Sequence, residues 1–108
     1  MRRGEIWTAA GGKHYASKLR PVLVVQDDRF DATDSITICP LTSDPTEIPL
    51  LRIRLGPEPD TGLTQTSSIM VDKLTTMPRI KLRERVGEVS DTDMLALSRA
   101  LVVFLGLA

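Results

Sequence analysis

The stretch Lys18-Leu19-Arg20-Pro21-Val22-Leu23-Val24-Val25-Gln26 decides how the rest of the chain is understood. An unbroken run of apolar, largely β-branched residues between polar ends is the pattern of a short strand buried on both faces. Proline biases the residue before it towards extended geometry and has no N–H for a sheet ladder. The run therefore predicts a strand from Pro21 to Gln26, with Arg20 at its mouth where a loop enters the sheet. Arg20 is then either a cation presented on a rigid rim or a flanking side chain in solvent, and spacing alone leaves both open.

Working outward, Gly4-Glu5-Ile6-Trp7-Thr8-Ala9 has a period-two pattern and predicts a first strand. The glycine-led, basic segment Gly11 to Lys18 predicts a loop. No helix opens after it, so it is not a phosphate-cradling turn. Downstream lie an acidic turn, Asp27 to Asp34, with a helical twist at Arg29-Phe30, and a third strand, Ser35 to Leu41. The cluster Thr42-Ser43-Asp44-Pro45 is turn-forming. Leu51, Ile53 and Leu55 alternate with Arg52 and Arg54, predicting a strand over Leu50–Leu55 with one wet face. After a turn at Gly56 to Gly62, a strand is expected to resume at Leu63. Thr64 to Leu74 is β-rich with Ile69, Val71 and Leu74 inward, and Val86 to Val89 predicts a last short strand. Ser90 can cap a helix whose first turn carries Asp91 and Asp93. Met94, Leu97, Leu101 and Leu105, joined by Val102 and Phe104, form its apolar stripe, and Gly106 is a stop. The expectation is one domain over residues 1–108, mainly β with a C-terminal helix: a small antiparallel barrel or twisted sheet closed by that helix.

Fourteen basic residues balance fourteen acidic ones, so no global field draws in a polyanion, and any such site must come from local clustering. Arg2, Arg3, Lys13, Lys18 and Arg20 gather near the start, and Arg79, Lys81, Arg83 and Arg85 near the end. Cys39 is the single cysteine, which excludes an intrachain disulfide and a thiolate-rich metal site; its apolar setting makes it a small buried hydrophobe. Two early arginines are followed by no apolar run, so no signal peptide is expected, and no apolar stretch approaches the ~20 residues of a membrane span. A soluble, cytoplasmic protein is expected.

Four positions carry candidate chemistry. His14 is the one side chain whose ordinary pKa lies near neutrality, and it sits in a basic loop beside Tyr15. Thr42 and Ser43 place two hydroxyls at a strand end, where they can bind a phosphate oxygen or merely cap the turn. Asp72 breaks the apolar run Ile69-Met70-Val71. In a buried strand a carboxylate needs a partner, so it is a functional acid or an outward residue beside Lys73.

Taken together, these motifs resemble the MazF/PemK toxin family. Arg3-Gly4-Glu5-Ile6-Trp7 followed by Arg20-Pro21-Val22-Leu23-Val24-Val25 carries the resemblance. Pro40-Leu41-Thr42-Ser43, Gly62-Leu63, Ser68 to Leu74, Arg85-Val86-Gly87-Glu88-Val89 and Leu105-Gly106-Leu107 continue it in order, so that it covers essentially the whole chain. It implies a compact SH3-like β-barrel of the CcdB/PemK type, a homodimer, and a metal-independent, cofactor-free endoribonuclease that cuts single-stranded RNA at a specific sequence. It also implies a small antitoxin partner whose tail folds into the toxin's groove.

Position by position, Arg20 and Thr42 match the residues most widely needed for cleavage, and Ser43 matches a neighbouring RNA contact. His14 and Asp72 match the histidine and carboxylate used by PemK-like members, with Lys13 and Lys18 as further RNA contacts beside them. Those members carry an arginine two residues before the aspartate, where this chain has Met70. Cleavage of this kind needs a base for the 2′-hydroxyl, an acid for the leaving 5′-oxygen and a cation for the charge on phosphorus, a role that suits Arg20. Trp7 or Tyr15 could stack on a splayed base, and Trp7 is equally suited to the core. Two other classes stay open: a non-catalytic toxin of the same barrel that poisons DNA gyrase, and a non-catalytic SH3-like binding module.

Overall fold

The computed structural model describes residues 1–10, 18–56 and 58–107. In it the apolar run is buried over Val22–Val25, Leu23 and Val24 completely, but the strand that carries it, β2 (Leu19–Val24), starts before the proline. Arg20 is therefore a strand residue, opposite Ala9 of β1 (Glu5–Ala10), and not a loop residue at the strand's mouth. Pro21 is tolerated because its ladder to β1 continues while the ladder from β2 to β3 (Ser35–Thr42) stops at Val22, next to the missing donor.

The remaining strands are β4 (Arg52–Leu55), β5 (Ser67–Met70), β6 (Thr75–Pro78) and β7 (Leu82–Glu88), followed by the helix α1 (Asp91–Phe104). All pairings are antiparallel and join into one seven-stranded sheet in the order β4-β5-β3-β2-β1-β7, with β6 also on β3. β5 and β6 share one edge of β3, β5 on Leu41–Thr42 and β6 on Ser35–Ile38. Between them the chain makes a single 3-10 turn, Val71–Lys73. The turn replaces the continuous strand expected over Thr64–Leu74 for a packing reason. Period two would send Val71 and Leu74 to opposite faces, whereas the turn lets both join one core cluster. Leu63 to Thr66 likewise form no strand; pairing resumes only at Ser67. β7 begins four residues earlier than Val86, because Leu82 pairs with Ala9 and is buried there.

One face of the sheet packs under α1: Ile6, Leu23, Cys39, Leu41, Ile69 and Leu97 share a cluster, with Met94 and Leu101 against it. Burial pushes the Cys39 thiol up to about 11, so this cysteine is a small core residue and not a nucleophile. The opposite face carries a second cluster, formed by Ala9, Val22, Val24, Ile36, Ile38 and Leu82, against which Trp7 is half-buried. Ser90 caps α1 by accepting the Asp93 N–H, and Gly106 ends it with φ +73°. The last helical turn overruns the core. Val102 and Phe104 are exposed together with Val103 and Leu105, so the apolar stripe is narrower than expected. No helix among the described residues is long and apolar enough to cross a membrane.

The opening motif is taken up by architecture. The Arg3 guanidinium donates to the Val25 carbonyl and to Ser98 Oγ (2.7 Å), tying β2 to α1. Gly4, at φ +95°, donates to Val24 and accepts from Val89, a conformation costly for any residue with a Cβ. Glu5 accepts from the Arg2 backbone, the Trp7 indole and the Arg85 guanidinium at 2.8–3.1 Å. Burial pushes its carboxyl up, but these donors outweigh burial and hold it at about 2.

Candidate nucleic-acid interface

Register places the site. Paired residues on antiparallel strands project from the same face. Thr42 pairs with Ser68, and Ser68 with Arg54, so β3, β5 and β4 present these three side chains in one row. Continuing the β2–β3 register by two residues beyond Val22↔Pro40 sets Arg20 opposite Thr42. The next row holds Met70 opposite Arg52. The intervening residues Leu41, Ile69 and Ile53 turn the other way, into the cluster under α1. Two apolar clusters thus fix the strands, and on the face away from the helix this polar row lies beside the second of them.

That face is grooved. A depression of about 370 Å³ is lined by Arg20, Pro40, Thr42 and Met70 among others, and one of about 220 Å³ by Arg20, Thr42, Ser43 and Gln65. Thr42 and Met70 lead into a third, of about 140 Å³, with Asp44 and Arg52. Arg52 and Thr46 carry it on into a fourth, of about 260 Å³, with Glu47, Arg54 and Ser68. Because neighbours share residues, the four form one track from β2 across β3 and β5 to β4.

Local hydrogen bonds stiffen its floor. Thr42 Oγ1 accepts the Asp44 N–H (3.1 Å), Asp44 Oδ1 accepts the Thr46 N–H (2.9 Å), and Arg54 Nη2 donates to the Pro45 carbonyl (2.9 Å). Thr42 therefore caps a turn as the acceptor, and its hydroxyl hydrogen can still be donated into the groove. The Thr46 N–H holds the Asp44 carboxyl below its ordinary value.

Of the sequence candidates, Arg20, Thr42 and Ser43 come together around one depression. Lys18 is exposed just before β2. His14 and Lys13 lie outside the described residues. Asp72 sits in the 71–73 turn and does not line the groove; it touches it through Arg52, whose Nη1 donates to Asp72 Oδ1 in a half-buried ion pair and to the Leu51 carbonyl (2.9 Å). Burial pushes the Asp72 carboxyl up, but Arg52 outweighs burial and holds it below the ordinary value. An arginine does stand beside this aspartate after all, brought from β4 to the position across from Met70. Arg52, Arg54 and Ser68 were not singled out as site residues; the alternation of the two arginines with apolar neighbours was the one signal for them. Two of the four residues in the late basic cluster are taken up in ion pairs, Arg79 with Asp31 (3.1 Å) and Arg85 with Glu5 and Glu88.

The family of PemK-like, MazF-like toxins of type II toxin–antitoxin systems matches the chain over residues 2–105. The chain belongs to the MazF/PemK family. A probable endoribonuclease MazF of Mycolicibacterium smegmatis is 57% identical over 108 residues, covering 100% of this chain and 99% of that protein. Endoribonuclease MazF9 of Mycobacterium tuberculosis is 31% identical over 117 residues, covering 99% and 98%. Among solved structures, an endoribonuclease in complex with its cognate antitoxin from a mycobacterial species superposes with a TM-score of 0.83 at 27% identity, over 100% of this chain and 97% of that one. MazE–MazF of Deinococcus radiodurans gives a TM-score of 0.80 at 18% identity, over 100% and 97%, a likeness of fold. The expected MazF/PemK barrel with its terminal helix is the fold found.

Proposed function

We propose that this MazF/PemK-family chain is an endoribonuclease that cuts single-stranded RNA at a preferred sequence without a metal, and that a cognate antitoxin neutralises it. Two relatives named endoribonuclease over nearly their full lengths support the enzyme class over a gyrase poison or a passive binding module. The antitoxin partner is supported by the solved relative that carries one. The observation that carries the chemistry is Arg20 and Thr42 flanking the same two depressions on a rigid sheet face.

In this mechanism the 2′-oxygen forms a bond to the adjacent phosphorus and the bond from phosphorus to the 5′-oxygen breaks. The products are a 2′,3′-cyclic phosphate and a 5′-hydroxyl. Arg20 faces the non-bridging oxygens, where its planar fork offsets the charge that grows on phosphorus. Thr42 donates its hydroxyl hydrogen to one of the same oxygens, and Ser43 holds the chain alongside. His14 takes the 2′-hydroxyl proton and returns one to the leaving 5′-oxygen, an assignment resting on its intrinsic pKa. Asp72, held ionised by Arg52, is a weak base near neutrality and acts by positioning that arginine. Lys13 and Lys18 add phosphate contacts.

No three His, Cys, Asp or Glu side chains cluster among the described residues in a way that could hold a metal ion. Cleavage of a single-stranded RNA is therefore expected to persist in excess chelator and to leave cyclic phosphate and 5′-hydroxyl ends. Loss of cutting on chelation, restored by a divalent ion, would refute the metal-free mechanism; intact RNA under all conditions would refute the enzyme.

A further inference from the structure

The groove continues beyond the atoms that the proposed cleavage uses. Its far end, the depression of about 260 Å³, is lined by Arg52, Arg54, Thr46, Glu47, Ile48 and Ser68. Ser68 is only 2% exposed. Among the described residues its hydroxyl has no hydrogen-bond partner, and no side-chain oxygen that is wholly sealed lacks one, so the Ser68 hydroxyl opens onto this depression. A hydroxyl that no protein group engages, at the wall of a depression, can donate to or accept from a ligand atom placed there.

The two arginines are held for the purpose. Arg52 is gripped by Asp72 and the Leu51 carbonyl through Nη1, which leaves Nε and Nη2 without a protein partner among the described residues. Arg54 is steadied by the Pro45 carbonyl through Nη2 (2.9 Å). A fork of guanidinium donors beside a serine hydroxyl fits the oxygens of a phosphodiester better than a base edge or an apolar ring.

We infer that Arg54, Arg52 and Ser68 form a second phosphodiester-binding subsite for the RNA chain, a nucleotide or two along from the phosphate at Arg20 and Thr42. The inference rests on the proposed RNA substrate. The row Thr42–Ser68–Arg54 spans two interstrand spacings, about 9–10 Å, so one strand of RNA lying across β3, β5 and β4 meets both subsites. Asp72 then has a reason to be acidic and half-buried: it fixes Arg52. Glu47 is the opposing element, an exposed carboxylate on the same rim that repels the phosphate and limits affinity.

The test is binding, separated from cutting. The probe is a set of short RNA oligonucleotides with a 2′-O-methyl group at the scissile nucleotide, each carrying one uncharged methylphosphonate at a different position. Wild-type protein is expected to lose affinity at two separate positions. Arg54→Ala should weaken the unmodified oligonucleotide about tenfold and reduce the slope of log affinity against log salt by ~0.7. It should also abolish the penalty at one position while leaving that at the scissile phosphate. Arg54→Lys should restore part of the affinity, Ser68→Ala should weaken the same position, and Glu47→Gln should tighten binding. A single sensitive phosphate in wild type, or an Arg54→Ala profile identical to wild type, would overturn the subsite and leave the cleavage reading intact. Failure of wild type to bind any of these RNAs would overturn both.

Discussion

Arg20→Ala separates chemistry from folding because the structure places the two costs on different residues. Arg20 is exposed in β2, and its ladder partner Ala9 is buried in the second cluster without it. The burial that holds the strand comes from Val22–Val25. Truncating an exposed strand residue, together with any surface ion pair it makes, costs at most about 1 kcal/mol, or roughly 4–8 °C in Tm for a domain of this size. If Arg20 supplies the cation at the scissile phosphate, the same truncation removes a preorganised donor in a groove walled by Pro40, Met70 and Met77. The chemical step should then slow by ~10²–10³, equivalent to about 2.7–4 kcal/mol. Arg20→Lys should recover little, since an ammonium cannot reproduce a two-pronged contact. The assays are single-turnover cleavage with protein in excess over RNA and thermal unfolding of each variant. A collapsed melt for Arg20→Ala would make Arg20 structural. Full cleavage with a normal melt would move the cation elsewhere in the groove, and Arg52 would be tested next.

Two further expectations concern stability and assembly. Glu5, held at about 2 against an ordinary 4.5, contributes stability that is complete above pH 4.5 and lost as the pH falls towards 2. The full linkage is about 3 kcal/mol, and screening at the half-exposed Arg85 brings it to about 1–2 kcal/mol. Glu5→Gln should melt lower by that amount at pH 7 and match wild type near pH 2; equal melts at pH 7 would refute the account. Val103, Phe104 and Leu105 at the end of α1 are exposed and contiguous, which fits a homodimer. Sedimentation at micromolar concentration should give about twice 11.9 kDa, and Val103→Asp should shift it to the monomer. A wild-type chain that sediments as a monomer would refute it.

The elements that sequence alone determined are those whose information is local. Val22–Val25 had no plausible fate except burial, Ser90 with Asp91 and Asp93 marked a helix start, and Gly106 a stop, because each follows from nearest neighbours and period. The family resemblance carried the fold and drew attention to Arg20 and Thr42. Tertiary structure decided what depends on register. Nothing local places Arg54 beside Ser68 and Thr42, or Arg52 across from Met70; those neighbours are set by strand pairings between residues far apart in the chain. Pattern reading missed the turn at Val71–Lys73 for the same reason: period two fails where one core must receive both Val71 and Leu74. Asp72 shows the division most clearly. Its charge amid apolar neighbours signalled a partner, but which partner, and therefore whether it acts as a base or as the brace of an arginine, was a matter of which strand the sheet laid beside it.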